Sequence, residues 1–325
     1  MTTDLVSIIE SAYRVEQSEG AWLEDVLRTA APLLDQGMGC SAFFYDASDV
    51  HRLRLHGFRS EGAHDDGMIM RAIERSAPDR VRWVFRTQAC RTASEGPDWA
   101  SQPAAKLFRS WGIADILFVN GLDPSGVGCF VTAKLGDGGT IPAATKLRWS
   151  RIATHLAAGY RLVRRLTALP DPPMAVLTPS GHVEHAEGDA KEAPARASLR
   201  AAVARIEEAR GAQRAREPDR AIASWRGLVS ARWSLVDQFE EGGRRYVVAR
   251  ENSPRASGPR DLTVRERQAV GYASLGHSNK LIAYELGVSA STVGVLLFRA
   301  AAKVGAKSRA ELIAAFQRTA DERAS

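Results

Sequence analysis

The groups on this chain best equipped for chemistry are cations, and they are unevenly placed. Residues 195–325 carry 23 Lys and Arg against 14 Asp and Glu, a net of +9, while residues 1–194 carry 21 against 24, a net of −3. A basic half suits a polyanion, because cations that neutralise phosphates release condensed counterions. Nothing comparable points to catalysis. The sequence holds no Gly-x-x-x-x-Gly-Lys-Ser/Thr phosphate loop, no His-Glu-x-x-His, no Gly-x-Ser-x-Gly and no dinucleotide fingerprint, so neither enzymatic activity nor a cofactor is expected. Cys40, Cys90 and Cys129 are widely spaced with no Cys-x-x-Cys pair, which fits a reducing cytoplasm and argues against disulfides or structural zinc. Their apolar settings suit buried structural thiols, with a redox-sensing thiol as the alternative. His182 and His185 are only two candidate metal ligands on one hairpin and read as surface histidines.

The elements that must position the cations begin at Leu262. Thr263 followed by Glu266, and Ser308 followed by Glu311, are capping boxes that mark helix starts. Ser278 and Ser289 are N-cap residues by type, and Gly276, Gly287 and Gly305 stand where helices should end. Four helices follow, at about 263–275, 279–286, 290–304 and 309–318. Only Gly287-Val288-Ser289 separates the second from the third, the tight turn of a helix-turn-helix. Ile282, Ala283, Leu286 and Val288 should pack on Val293, Leu297 and Ala300, which share one helical face. Caps and glycines alone are equally compatible with a four-helix interaction domain that never meets nucleic acid.

The residues in this stretch go further. Leu262-Thr263-Val264-Arg265-Glu266-Arg267-Gln268, Gly276-His277-Ser278-Asn279-Lys280, Leu286-Gly287-Val288-Ser289-Ala290-Ser291-Thr292-Val293, Lys303-Val304-Gly305 and Lys307-Ser308-Arg309-Ala310-Glu311-Leu312-Ile313-Ala314 stand at fixed spacing. Together they resemble the LuxR-type helix-turn-helix domain, the DNA-binding module of many bacterial response regulators and quorum-sensing regulators. The resemblance runs to about Phe316, roughly a sixth of the chain. It implies a cytoplasmic transcription regulator that binds double-stranded DNA as a homodimer, with RNA polymerase as a further partner. It also implies that Lys280, Thr292, Lys303, Lys307 and Arg309 meet phosphates, contacts that hold register without reading bases. In the family the fourth helix pairs two domains; here Leu312, Ile313 and Phe316 could do that or close the domain core. The alternative function is a helix-turn-helix protein that has lost DNA binding and regulates through protein contacts.

One departure bears on specificity. The family commonly carries lysine or another polar residue where this chain has Gly294 and Phe298, and histidine where it has Leu296. With Val293, Leu297 and Ala300 facing inward, Gly294, Val295 and Phe298 face outward. Such residues cannot form bidentate hydrogen bonds to guanine or adenine edges, though they can touch thymine methyl groups. Ser291 and Arg299 remain as polar readers. Weak discrimination between sites is therefore expected, following thymine placement or groove shape.

The first 250 residues read as sensor architecture. Residues 1–36 suggest two helices, with Trp22, Leu23, Val26, Leu27, Ala30, Leu33 and Leu34 on the buried face. Strands are expected at Cys40–Tyr45, 52–56, 113–121 and 126–135, the last two joined through Asp123-Pro124-Ser125-Gly126. A helix at 68–76 and a long one at about 143–166, striped by Leu147, Ile152, Leu156, Tyr160 and Val163, complete the set; Ile152, Leu156 and Val163 of that stripe could also pair two copies. Helices, antiparallel sheet and closing helix follow the order of GAF domains, and autoinducer-binding domains look similar. Trp83, Phe85, Trp99, Phe108 and Trp111 suit either core packing or the walls of a pocket for an unidentified small molecule. After the proline cluster at 170–173, two hairpins (174–186 and 233–250, the second turning at 240–243) enclose helices at 198–209 and 220–228, resembling a reduced PAS domain. Asn252 to Pro259 is breaker-rich and reads as a linker. No basic leader and no membrane-length apolar run is seen, so no membrane partner is expected. The expected fold class is α+β multidomain: a GAF-like module at 1–168, a reduced PAS-like module at 172–252 and an all-α four-helix domain at 258–325.

Overall fold

The computed structural model describes residues 4–60, 66–87, 89–137, 140–168, 172–239, 243–256 and 258–324. Two helices open the chain: α1 (Leu5–Ala12), capped by the Asp4 carboxylate, and α2 (Glu19–Leu34), capped by Ser18. Trp22, Leu23, Val26, Leu27, Ala30 and Leu34 are buried as their spacing predicts, whereas Leu33, near the end of α2, is exposed.

A five-stranded antiparallel sheet follows, with β1 (Cys40–Asp46), β2 (Arg54–Ser60), β3 (Cys90–Thr92), β4 (Asp115–Leu122) and β5 (Val127–Leu135) in the order β2-β1-β5-β4-β3. Strand β2 starts two residues later than the alternation suggests and continues past it. The register slips between the pairs Ala42–Arg59 and Phe44–His56, and Gly57 takes the extra position at φ +64°, a β-bulge that breaks the period-two pattern. Asp123 to Gly126 makes the expected turn from β4 to β5, with Gly126 N donating to the Asp123 carbonyl.

Both sheet faces are covered, which is why β1, β4 and β5 read as nearly unbroken apolar runs. On one face Phe44, Val119, Cys129 and Val131 pack with α1, α2 and the long helix α6 (Ala143–Ala168). On the other, Phe43, Tyr45, Phe118 and Phe130 pack with residues of α4 (Pro78–Phe85) and α5 (Pro103–Ser110), with α3 (Asp66–Glu74) alongside. No element was expected between Ser76 and Ile113. Both α4 and α5 are eight residues long and start on a proline, which suits a first helical turn but reads as a breaker.

In α6, Ile152, Leu156, Tyr160 and Val163 are buried in the chain's own core, so this stripe cannot pair two copies as expected. Leu147 lies outside it at 56% exposed. Five residues before Ile152, it is rotated about 140° from the stripe at 100° per residue. The three thiols are buried; burial pushes Cys90 up to about 12 and Cys129 well above its ordinary value, as structural cysteines require.

The second sheet is antiparallel in the order β7-β6-β9-β8, from β6 (Ala175–Leu177), β7 (Val183–Ala186), β8 (Trp233–Phe239) and β9 (Arg245–Glu251). Between its hairpins run α7 (Ala193–Arg210), the short α8 (Gln213–Arg216) and α9 (Pro218–Ser224). Helix α7 begins earlier than expected because Pro194 sits in its first turn. Helix α9 stops earlier, where Trp225 turns to extended backbone. Residues 240–242 of the second hairpin turn and 170–171 of the proline cluster lie outside the described residues. His182 and His185 are exposed, and His185 meets Glu187 at 3.1 Å.

The segment expected to be a linker is pinned to the fold. Asn252 is 1% exposed; its Nδ2 donates to the Ala158 carbonyl and Ser234 Oγ, both at 2.8 Å. Gly258 lies under the Phe316 ring, which a Cβ there would overlap. Polar and breaker-rich composition is shared by free tethers and by segments threading between packed bodies, and this is the second kind.

Candidate DNA-binding interface

Four helices complete the chain: α10 (Val264–Ser274), α11 (Asn279–Leu286), α12 (Ala290–Val304) and α13 (Arg309–Ala324). Their caps are those read from the sequence. Thr263 Oγ1 accepts from Glu266 N while the Glu266 carboxylate accepts from Thr263 N at 2.8 Å. Ser278 and Ser289 cap α11 and α12, and Gly287 and Gly305 end them in the left-handed conformation. At α13 the reciprocal bond is displaced by one residue: Glu311 N donates to Ser308 Oγ, but the Glu311 carboxylate accepts from Lys307 N.

Helices α11 and α12 meet at 104° across the Gly287-Val288-Ser289 turn. Val293, Leu297 and Ala300 face inward beside Ile282, Ala283 and Leu286, all buried, with Val288 partly so. The opposite face of α12 is open. Ser291, Thr292, Val295, Phe298 and Arg299 are exposed, Phe298 at 76%, and a Cβ added at Gly294 would meet nothing within 4 Å. The hydroxyls of Ser291 and Thr292 each share a hydrogen bond with Ser289 Oγ at 2.7 Å, which fixes the start of the helix.

The flanking cations fall into two groups. Lys280, Arg299 and Lys307 are exposed, with no ion pair among the described residues. Lys303 and Arg309 are exposed as well but hold hydrogen bonds to their own domain. Lys303 Nζ donates to the Glu266 carboxylate at 2.7 Å. Burial pushes the Glu266 carboxyl up, but Lys303 and the Thr263 donors outweigh it and hold it below its ordinary value. Arg309 donates to Asn279 Oδ1 at 2.6 Å and to the His277 carbonyl at 2.7 Å, tying α13 to the start of α11. Leu312 and Phe316 are buried within the domain and Ile313 half-buried, so most of the apolar surface of α13 closes the core.

Sequence reasoning missed the polar groups behind α10 and α11. His277 Nδ1 meets Glu285 Oε2 at 3.0 Å, both side chains almost fully buried, under the stacked Tyr272 ring. Burial pushes the Glu285 carboxyl up, with His277 pulling against it. Three further contacts seat the domain on the rest of the chain. Arg161 of α6 donates to Asp123, to the Asn252 carbonyl at 2.8 Å and to Tyr272 Oη at 3.3 Å. Ala231 N donates to the Leu286 carbonyl at 2.7 Å. Tyr284 Oη donates to the Ile222 carbonyl at 2.7 Å and meets His155 Nε2 at 2.5 Å, and Tyr13 Oη meets His155 Nδ1 at 3.1 Å. No spacing rule in a sequence pairs residues as distant as 13, 155, 222 and 284.

Because the Tyr284 hydroxyl proton goes to Ile222, His155 Nε2 must be the donor to Tyr284, and Nδ1 accepts from Tyr13. The ring is neutral. Burial, with Arg226 adding repulsion, lowers its pKa from 6.5 to about 3. Unfolding exposes this ring, so between those values the unfolded chain binds the extra proton. Its contribution to stability is complete above about pH 6.5 and is lost as pH falls towards about 3, at up to about 1.4 kcal/mol per pH unit. Urea unfolding at about pH 7, 6 and 5 should show that loss in the natural chain and a shallower one in His155→Gln. Equal slopes would show that His155 is not the proton-linked group.

No single helix among the described residues is long and apolar enough to cross a membrane. Residues 260–316 match the model of the bacterial regulatory proteins, luxR family, so α10 to α13 form a luxR-family domain. No curated protein matches the chain. Among solved structures, the crystal structure of Escherichia coli SdiA in space group P6522 is similar at 10% identity, covering 97% of this chain and 96% of that one, with a TM-score of 0.36. SdiA in complex with octanoyl-rac-glycerol is similar at 10% identity, covering 97% and 93%, with a TM-score of 0.34.

Proposed function

We propose that this chain is a LuxR-type transcriptional regulator that binds double-stranded DNA through the open face of α12. One observation carries the reading: Ser291, Thr292, Gly294, Val295, Phe298 and Arg299 present an open surface on the helix after the turn, which nothing else among the described residues covers. Lys280 and Lys307 flank it as phosphate contacts. Lys303 and Arg309 support it from within, so their replacement acts first on stability. In this reading 1–168 is a GAF-like sensor, 172–252 a PAS-like coupling module and 258–325 the effector, in a cytoplasmic homodimer that also contacts RNA polymerase.

Selection of duplexes from a random library by the full-length chain tests this. The expected outcome is a shallow motif organised by thymine positions, since the outward face offers few hydrogen-bonding side chains, Ser291, Thr292 and Arg299, and no pair suited to bidentate readout of a purine. Gly294→Lys adds a cation in open space and should raise affinity, while Lys280→Ala should weaken all sequences evenly and reduce the salt slope by about 1. A sharp guanine-centred motif, or a Gly294→Lys chain that binds no better, would overturn the assignment. The exposed Phe298 ring favours a second reading, in which this face meets protein. Absence of any enriched duplex, with unchanged Lys280→Ala behaviour, would support it.

A further inference from the structure

Between the first sheet and helices α4 and α5 lies a cavity of about 80 Å³. Its walls are mostly aromatic, with Phe43, Phe118, Phe130 and Trp99 prominent, yet two cations reach it, Arg80 and Lys134, at 7% and 2% exposure. None of the described lining residues is Asp or Glu. Arg80 Nη2 donates to the Ala93 carbonyl, but Nη1 is buried with no hydrogen-bond partner among the described residues, and so is Trp99 Nε1. The two side chains are in contact, the guanidinium carbon lying 5.3 Å from the Trp99 ring centroid, while Trp83 takes the same guanidinium at 4.6 Å. Gly96 makes this placement possible, since a Cβ there would overlap both Arg80 and Trp83.

Buried donors are almost always satisfied, and two orphans on adjoining side chains at one cavity call for an acceptor that the described residues do not supply. A cation away from water calls for negative charge. We infer that this cavity binds a small monocarboxylate, its oxygens taken by Arg80 and Trp99 and its short aliphatic or single-ring body seated on Phe43, Phe118 and Phe130. A dianion would lose more hydration than this apolar wall returns. Asp115 acts on Arg80 from outside the cavity lining but accepts no hydrogen bond from Nη1, so a ligand without strong acceptors would leave both donors unsatisfied. The space is about half that of an engineered 150 Å³ cavity known to hold benzene, so short chains fit best and a long one must part the sheet from the helices. The inference deepens the sensor reading of the first module and rests on it for its regulatory meaning.

Calorimetric titration of the full-length chain, without DNA, tests the site using butanoate, hexanoate and benzoate beside their methyl esters. At least one acid should bind and raise the melting temperature, with its ester at least about tenfold weaker, the factor of one charge-assisted hydrogen bond. Trp99→Phe, which removes one donor and keeps an aromatic ring, should weaken the acid about tenfold and leave the ester unchanged; Arg80→Gln should abolish the preference. If Arg80→Gln fails to fold, the ester comparison and Trp99→Phe decide. No binding by any acid, equal binding of acid and ester, or acid binding indifferent to Trp99→Phe overturns the site. An acid that binds as expected but leaves DNA affinity unchanged overturns the sensor reading alone.

Discussion

Leucine at position 161 should cost the folded chain about 3–5 kcal/mol, the range for removing one partner of a buried ion pair. Arg161 and Asp123 have side chains only 15% and 10% exposed. The guanidinium joins three segments: the β4–β5 turn through Asp123, the strand exit at Asn252 and helix α10 at Tyr272. The desolvation that would penalise the charge is outweighed by Asp123 and Tyr272, which hold the guanidinium pKa above its ordinary value. Arg161→Leu leaves the Asp123 carboxylate buried without its cation, and an uncompensated charge is what makes such deletions severe. Arg161→Leu with Asp123→Asn should therefore recover part of the loss. Urea unfolding measures both variants. A cost below about 1 kcal/mol would place Arg161 among ordinary surface pairs.

Gly287→Ala should be as damaging, by a different route. Gly287 sits at φ +62°, where an L side chain already costs about 1–3 kcal/mol. Gly305 has nearly the same backbone at φ +70°, with nothing near its Cβ position. At Gly287 that position overlaps the Leu228 carbonyl oxygen, which is backbone and cannot rotate aside. The alanine must push α11 away from the second module and break the bond from Ala231 N to the Leu286 carbonyl. Gly305→Ala should thus show only the conformational cost, and Gly287→Ala that cost plus undocking, seen as faster amide exchange at Ala231 and easier proteolysis near 252–259. Equal effects at the two glycines would mean that the Leu228 contact contributes nothing.

The C-terminal domain was legible because its signals are local. Caps at Thr263, Ser278 and Ser289 and turns at Gly287 and Gly305 each act within four residues, and the inward set Val293, Leu297 and Ala300 follows from helical period alone. The five-stranded sheet was partly legible, since both of its faces are buried, but the bulge at Gly57 and the proline-led helices α4 and α5 defeat period counting. The fates of Lys303 and Arg309 were not legible. Composition marks a cation, but whether it faces solvent or Glu266 depends on how α10 meets α12. The walls of the cavity were partly legible, since Phe85, Trp99 and Phe108 of the expected aromatic set line it, but its two cations were not: they come from a helix that the pattern did not reveal and a strand whose alternation hides a charge.

Beside the apolar packing of Leu228, Ala231 and Tyr284, what fixes the seat of α10 and α11 is a set of directed hydrogen bonds and a backbone held close at Gly287. Such a joint is brittle. Hydrogen bonds tolerate a few tenths of an ångström and then fail, and Tyr13, His155, Tyr284 and Ile222 form one series, so its members weaken together. The joint therefore has two conditions, closed and broken, with little graded tilt between them. A signal arriving at the first sheet would reach α12 as a threshold rather than as a dial.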